Sequence, residues 1–233
     1  MSSFKEIKEQ AYRANMKIEE LDLVLFTFGN ASAADHKNGV FAIKPSGVPY
    51  SDLTPGDMVI VDFENNVVEG DLRPSSDTKT HAVLYKNWSG VGGIVHTHST
   101  YATAWAQTLT DIPILGTTHA DHLAQDIPCT PPMSDEAIKG DYEHETGLQI
   151  LNEFEKRNLS YQEVQMVLVG SHAPFIWGEN AEKAIYNSAV LEEVAKMAAI
   201  SLQIRPDTPR IKEALRRKHY ERKHGKNAYY GQK

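Results

Sequence analysis

The chain has 233 residues and a formal net charge of −7, enough length for one substantial core and too acidic overall for general nucleic-acid binding. A single cysteine, Cys129, excludes an intrachain disulfide and a cysteine-rich zinc cluster, and fits a reducing, cytoplasmic setting. No apolar run approaches the ~20 residues that span a bilayer, so no membrane and no nucleic acid is expected as a partner.

Along the chain, residues 4–20 predict an amphipathic helix. Phe4, Ile7, Ala11, Ala14, Ile18 and Leu21 recur at three- and four-residue steps, and Ser3 with Glu6 forms a candidate capping box. This charged start is not a signal peptide. Strands are predicted at 24–28, 40–43, 58–62 and 67–68, with "PGD" (55–57) and "ENN" (64–66) as turns, the second closing a hairpin. A helix over 77–88, a strand at 93–96 and a helix over 100–108 follow. Then come a strand at 113–115, a helix over 142–157, strands at 163–169 and 174–177, and helices over 181–203 and 208–223. Hairpin-like neighbours alternate with single strands between helices. That order predicts a mixed, mainly antiparallel sheet with helices on its faces, not a doubly wound parallel one.

The first chemical signal is "GGIVHTHST" (92–100). Residues two apart on an extended chain point the same way, about 6.5–7 Å apart, so His96 and His98 can lean onto one cation. Neutral imidazole suits zinc or manganese, and a catalytic site takes about three protein ligands. His172, in "VLVGSHAPFIWG", ends another apolar strand and reads equally as a turn histidine or as the third ligand. Asp77, in "RPSSDTKTH", reads locally as a helix N-cap first and as a carboxylate beside the metal second. Ser75 and Ser76, with the first N–H groups of that helix, make an anion pocket. "FGNASAAD" (28–35) and "IKPSGVPYSD" (43–52) are similarly small and hydroxylic, with Lys44 adjacent, which suits a phosphate monoester. "GTTHADHLAQDIPC" (116–129) offers His119, Asp121 and His122 either as ligands and proton carriers or as an ordinary polar loop.

Charge is split. Residues 210–233 hold nine Lys/Arg against two acids, a net of +7, which with −7 overall leaves −14 on the first 209. The tail ends "AYYGQK", so docking on the acidic body is expected ahead of an outside polyanion.

Together "GNASA", "IKPSG", "RPSSDTKTH", "GGIVHTHS", "GTTHADH", "VLVGSHAPFIWG" and "KHGKNAYYGQK" resemble the class II aldolase/adducin family over essentially the whole chain. The Asp121 loop and the Tyr-Tyr-Gly-Gln ending resemble its sugar-phosphate epimerase branch. The resemblance implies one three-layer αβα domain over residues 1–233, with the tail from about 210 closing the active site. It implies a divalent metal, zinc first with manganese and cobalt as alternatives, held by His96, His98 and His172 with Asp77 in the fourth position. Gly29, Asn30, Lys44, Ser46, Gly47, Ser75 and Ser76 would bind the substrate, a phosphorylated ketopentose. Asp121 and Tyr230 would carry protons, and a homotetramer would place the sites between subunits. Epimerisation at C4 explains these types. That carbon is not next to the carbonyl, so the C3–C4 bond must be broken by retro-aldol cleavage and re-formed on the other face, with one proton carrier for each epimer. An aldolase of the same family, releasing its fragments, and a non-catalytic adducin-like module are the alternatives.

Overall fold

The computed structural model describes residues 4–225, 228 and 229. The chain opens with α1 (Lys5–Glu20), whose Ile7, Ala11, Ala14 and Ile18 are buried along one face. Its N-cap is Phe4, without a side-chain cap bond, and Ser3 of the expected capping box lies outside the described residues. Four strands follow, β1 (Asn30–Asp35), β2 (Val40–Ile43), β3 (Val59–Asp62) and β4 (Val67–Glu69), and then α2 (Thr78–Asn87). Next come β5 (Gly93–His96), α3 (Thr100–Gln107), and the short α4 (Thr117–Ala120) and α5 (Asp135–Lys139). The chain continues through α6 (Tyr142–Lys156), β6 (Met166–Leu168), β7 (Pro174–Gly178), α7 (Ala181–Ile204) and α8 (Glu213–His224).

The strands form one sheet in the order β4-β3-β2-β1-β5-β7-β6. Every neighbouring pair is antiparallel, and the parallel element admitted from sequence is reduced, among the described residues, to one isolated bridge between Cys129 and Leu168. Alternation along the strands divides the core. Ala31, Ala33, Val40, Ala42, Ile60 and Val95 pack under α1 and the start of α7, while Met166, Leu168 and Ile176 pack under α3 and α7. Phe41, Ile43, Val59, Val61, Ile94, Val167, Phe175 and Trp177 face α2 and α6 on the other side. These are the three layers expected from the sequence.

Two strand expectations fail, for reasons in the sequence. Residues 24–28, apolar and β-branched, form an irregular turn. Phe26 has φ +53°, and Leu25 and Phe26 stand 68% and 82% exposed. The strand is instead "NASAAD", poor in β-formers. Its small residues let α1 approach closely, and the Asn15 side chain hydrogen-bonds both the N–H and the C=O of Ala31, fixing β1 against the helix. Residues 113–115 are not a strand either. One bridge joins Ile112 to Ile127, and Ile114 N–H donates to the Asp126 side chain in place of a ladder. The last helix starts at Glu213 rather than 208.

No helix among the described residues is long and apolar enough to cross a membrane. The basic tail docks where charge predicted: α8 runs beside α4, Arg210 pairs with Asp126 at 2.5 Å, and Arg216 donates to Ala124 O.

The α7 start crosses β5 so tightly that a Cβ on Gly93 would lie 2.4 Å from Ala181 Cα. Gly93→Ala must therefore lift the start of α7, and a loss of about 3 kcal/mol is expected from urea unfolding. An unchanged midpoint would show that this crossing yields freely.

Candidate functional site

Register builds the site. Asn30 lies opposite His96, and His96 opposite Phe175, so all three stand on the α2 face where β1, β5 and β7 meet. The His96 ring stacks on Phe175 with centroids 4.3 Å apart, and its Nδ1–H donates to Pro174 O at 2.9 Å. That bond fixes the ring with Nε2 toward the other histidines, the orientation a metal ligand needs. His98 lies past the strand end, with Nε2 3.2 Å from His96 Nε2. His172 sits in the β6–β7 turn, after Ser171 in a left-handed conformation (φ +63°), and the Tyr142 hydroxyl lies 3.3 Å from its Nδ1. One nitrogen from each histidine falls within 4.8 Å of the others.

Asp77 occupies the N-cap position of α2, yet its side chain makes no capping bond. Its Oδ2 accepts from Asn30 Nδ2 at 2.7 Å and lies 4.0 Å from His96 Nε2. Local sequence favoured the cap; the tertiary structure spends the carboxylate on the site. Burial alone would raise its pKa, but His96, His81, His172 and the Asn30 amide together hold it below the usual range. Burial first, then the neighbouring histidines, pulls His172 down to about 4 and lowers His98. Three imidazoles beside one carboxylate are the donor set of an open divalent-metal site.

The phosphate-pocket candidates share this opening. Ser46 N–H donates to Arg73 O and Ser75 N–H to Lys44 O, so "KPSG" and "RPSS" are clipped together at the start of α2. Gly47 needs its positive φ (+72°) for that turn. Gly29, also left-handed, runs so close to β5 that a Cβ would meet Val24 and His96 O below 3 Å. A single open cleft of about 510 Å³ is lined by Gly29, Asn30, Lys44, Ser46, Gly47, Ser75, Ser76, Asp77, His96, His98 and His172. Lys44 donates to Val48 O at 2.7 Å over the Tyr50 ring, and burial lowers its pKa.

Asp121 does not line this cleft. It lies at the end of α4, where Arg222 grips both carboxylate oxygens at 2.9 and 2.6 Å, and His219 lies 2.9 Å away. Burial opposes ionisation there, but these partners and Lys223 keep its pKa below the usual range. Tyr230 lies outside the described residues. His119 is buried at α4 and His122 packs on Tyr186, so neither joins the histidine cluster. Cys129 is buried, which with Asp111 pushes its thiol up to about 12 and leaves no thiolate nucleophile. Sequence reading missed Tyr142, and within stretches it flagged it did not single out Phe28, whose ring lies 6.4 Å from His98, or His81.

The family model described as "Class II Aldolase and Adducin N-terminal domain" matches residues 9–199. The chain belongs to that family. Among solved structures, an L-fuculose 1-phosphate aldolase is 22% identical, with 95% of this chain and 97% of that one aligned at a TM-score of 0.77. A putative aldolase/epimerase/decarboxylase from Escherichia coli is 21% identical, covering 93% and 99% at 0.70. An L-fuculose-1-phosphate aldolase from Thermus thermophilus is 22% identical, covering 88% and 98% at 0.66. At these identities the likeness is one of fold, the class II aldolase fold with helices flanking a central antiparallel sheet.

Beneath Asp77, His81 is fully buried, and burial takes its pKa down to about 3. The unfolded chain takes up that proton near pH 6.5, so the stability tied to neutral His81 is complete above pH 6.5 and drains as pH falls toward 3. Urea unfolding should show about 2 kcal/mol of this loss between pH 7 and pH 5. A His81→Leu variant should lack that share, and an identical pH dependence in the variant would exclude it.

Proposed function

We propose that this class II aldolase family member is a divalent-metal-dependent epimerase interconverting L-ribulose 5-phosphate and D-xylulose 5-phosphate at C4, a step shared by L-arabinose breakdown and other pentose routes. The observation that carries this reading is the single cleft holding three clustered histidines, a carboxylate freed from capping and the clipped Ser46–Gly47 and Ser75–Ser76 segments. His96, His98 and His172, beside Asp77, would hold a zinc, manganese or cobalt ion, which would supply Lewis-acid stabilisation of the negative charge that develops on C3–C4 cleavage.

The chain's own residues do the rest. Ser46, Gly47, Ser75, Ser76 and the Lys44 ammonium anchor the phosphate, while Gly29 and Asn30 line the floor beside His96. The anchor lets the two-carbon fragment turn over after C3–C4 cleavage without leaving. Asp121 and Tyr230 carry protons on opposite faces. Asp121 lies away from the cleft of its own chain, which supports a homo-oligomer, a tetramer in this reading, whose sites are completed by a neighbour and closed by the tail beyond residue 210.

The fuculose-phosphate aldolases among its structural neighbours favour a second reading, an aldolase that releases its fragments. Aspartate at position 77, where the sequence resemblance gives glutamate to the fuculose-type aldolases, favours the epimerase. Metal-loaded protein given L-ribulose 5-phosphate should yield D-xylulose 5-phosphate with no free aldehyde. Aldehyde release would establish the aldolase, and no turnover with any of the three metals would leave the adducin-like module.

A Ser75→Ala, Ser76→Ala double variant removes hydroxyls that hold phosphate equally in ground and transition states. Its KM should rise several-fold with kcat little changed. An unchanged KM would move the phosphate elsewhere.

A further inference from the structure

Below the cleft the core contains a buried polar stripe that the proposed chemistry does not use. On α2, Asp77, His81 and Tyr85 recur every four residues; on β1, Asn30 and Ser32 are two apart and face them. Four helical residues rise about 6 Å and two strand residues about 6.6 Å, so the two sets meet rung by rung. Asn30 Nδ2 donates to Asp77 Oδ2 at 2.7 Å, and Ser32 Oγ lies 2.7 Å from both His81 Nδ1 and the Tyr85 hydroxyl. Ser32 and His81 have no exposure, and Asn30 and Tyr85 are 2% and 1% exposed. The stripe is costly: Asn30 Oδ1 and His81 Nε2 are buried with no partner. Apolar residues of the same shape would hold α2 on the sheet at least as well, as Leu84 does beside them. A polar stripe kept where an apolar one would serve, ending at the site carboxylate, marks positioning more than stability.

We propose that this ladder sets the height and rotation of α2 on β1, and that His81 is a positioning residue which, through the Ser32 rung, aims the Asp77 carboxylate at the three-histidine cluster. This rests on the metal reading of that cluster. Leucine at 81 fills similar volume but cannot engage Ser32, so α2 is free to settle by packing alone and Asp77 leaves its aim. Asparagine restores a polar group near the Nδ1 position and should restore the rung.

The test is cobalt binding by the whole protein without substrate, followed by the visible absorption of the bound ion. His81→Leu should bind cobalt about 10–100-fold more weakly. Per bound ion its spectrum should differ from the parent's, a readout that loss of stability alone does not move. His81→Asn should recover most of the affinity and the parental spectrum. Parental affinity and spectrum in His81→Leu, or an asparagine variant as weak as leucine, would overturn the proposal. Should His81→Leu fail to fold, Ser32→Ala, which deletes the central hydroxyl, replaces it with the same expected weakening, and unchanged binding there overturns the proposal equally. A parent protein that binds no cobalt overturns the metal reading itself, which is distinguishable because no variant is needed to see it.

Discussion

Strand register around β5 is the constraint on which the rest of the site depends. Because β1 pairs Asn30 with His96 and β7 pairs Phe175 with His96, one row across three strands carries an amide, an imidazole and a stacking ring on the face that α2 covers. A one-residue slip of β5 would turn His96 into the α1 and α7 layer and put Val95 against Asp77. The register is held from outside the row. Asn15 of α1 bonds both backbone groups of Ala31, and Gly92 and Gly93 accept the start of α7 at a distance no side chain permits. The apolar layers and the polar site are thus fixed by the same pairings.

The histidines are set up for ligation by burial and by second partners. Pro174 O takes the His96 Nδ1–H, which turns His96 Nε2 toward His98 Nε2, and the Tyr142 hydroxyl lies beside His172 Nδ1. Desolvation lowers the pKa of His98 and His172, while the nearby histidines and the Asn30 amide hold Asp77 below the usual carboxylate range. Asp121 belongs to a different electrostatic unit. Arg222, His219 and Lys223 of α8 converge on it, so the basic tail and the acidic body neutralise one another at α4.

Family membership and geometry bear on different questions. The match over residues 9–199 gives the family, and the shared fold explains why a β-strand end, a hairpin turn and a helix start converge. The proposed epimerase reading rests on smaller features: an aspartate rather than a longer acid at 77, the clipped serine segments and the residues carried by the tail.

The sequence by itself determined the antiparallel layered class, most helices and the His96–His98 pair, because helical periodicity, hairpin turns and a His-x-His at a strand end are local signals, and it left His172 open between a turn and the cluster. The same local cues misled at 24–28, where the chain turns at Phe26 and leaves Leu25 and Phe26 exposed, and passed over β1, whose three alanines and one serine form a strand between β2 and β5 with α1 packed against it. Tertiary structure alone decided that Asp77 faces the histidines instead of capping its helix. The choice depends on Asn30, 47 residues away, offering a hydrogen bond that no local pattern encodes. It alone drew Asp121 to α8, about a hundred residues downstream, and set Ser32 against His81 and Tyr85. Composition and spacing fix what a segment can become; which polar group meets which is settled by burial, where each must find a partner from whatever the sheet brings within reach.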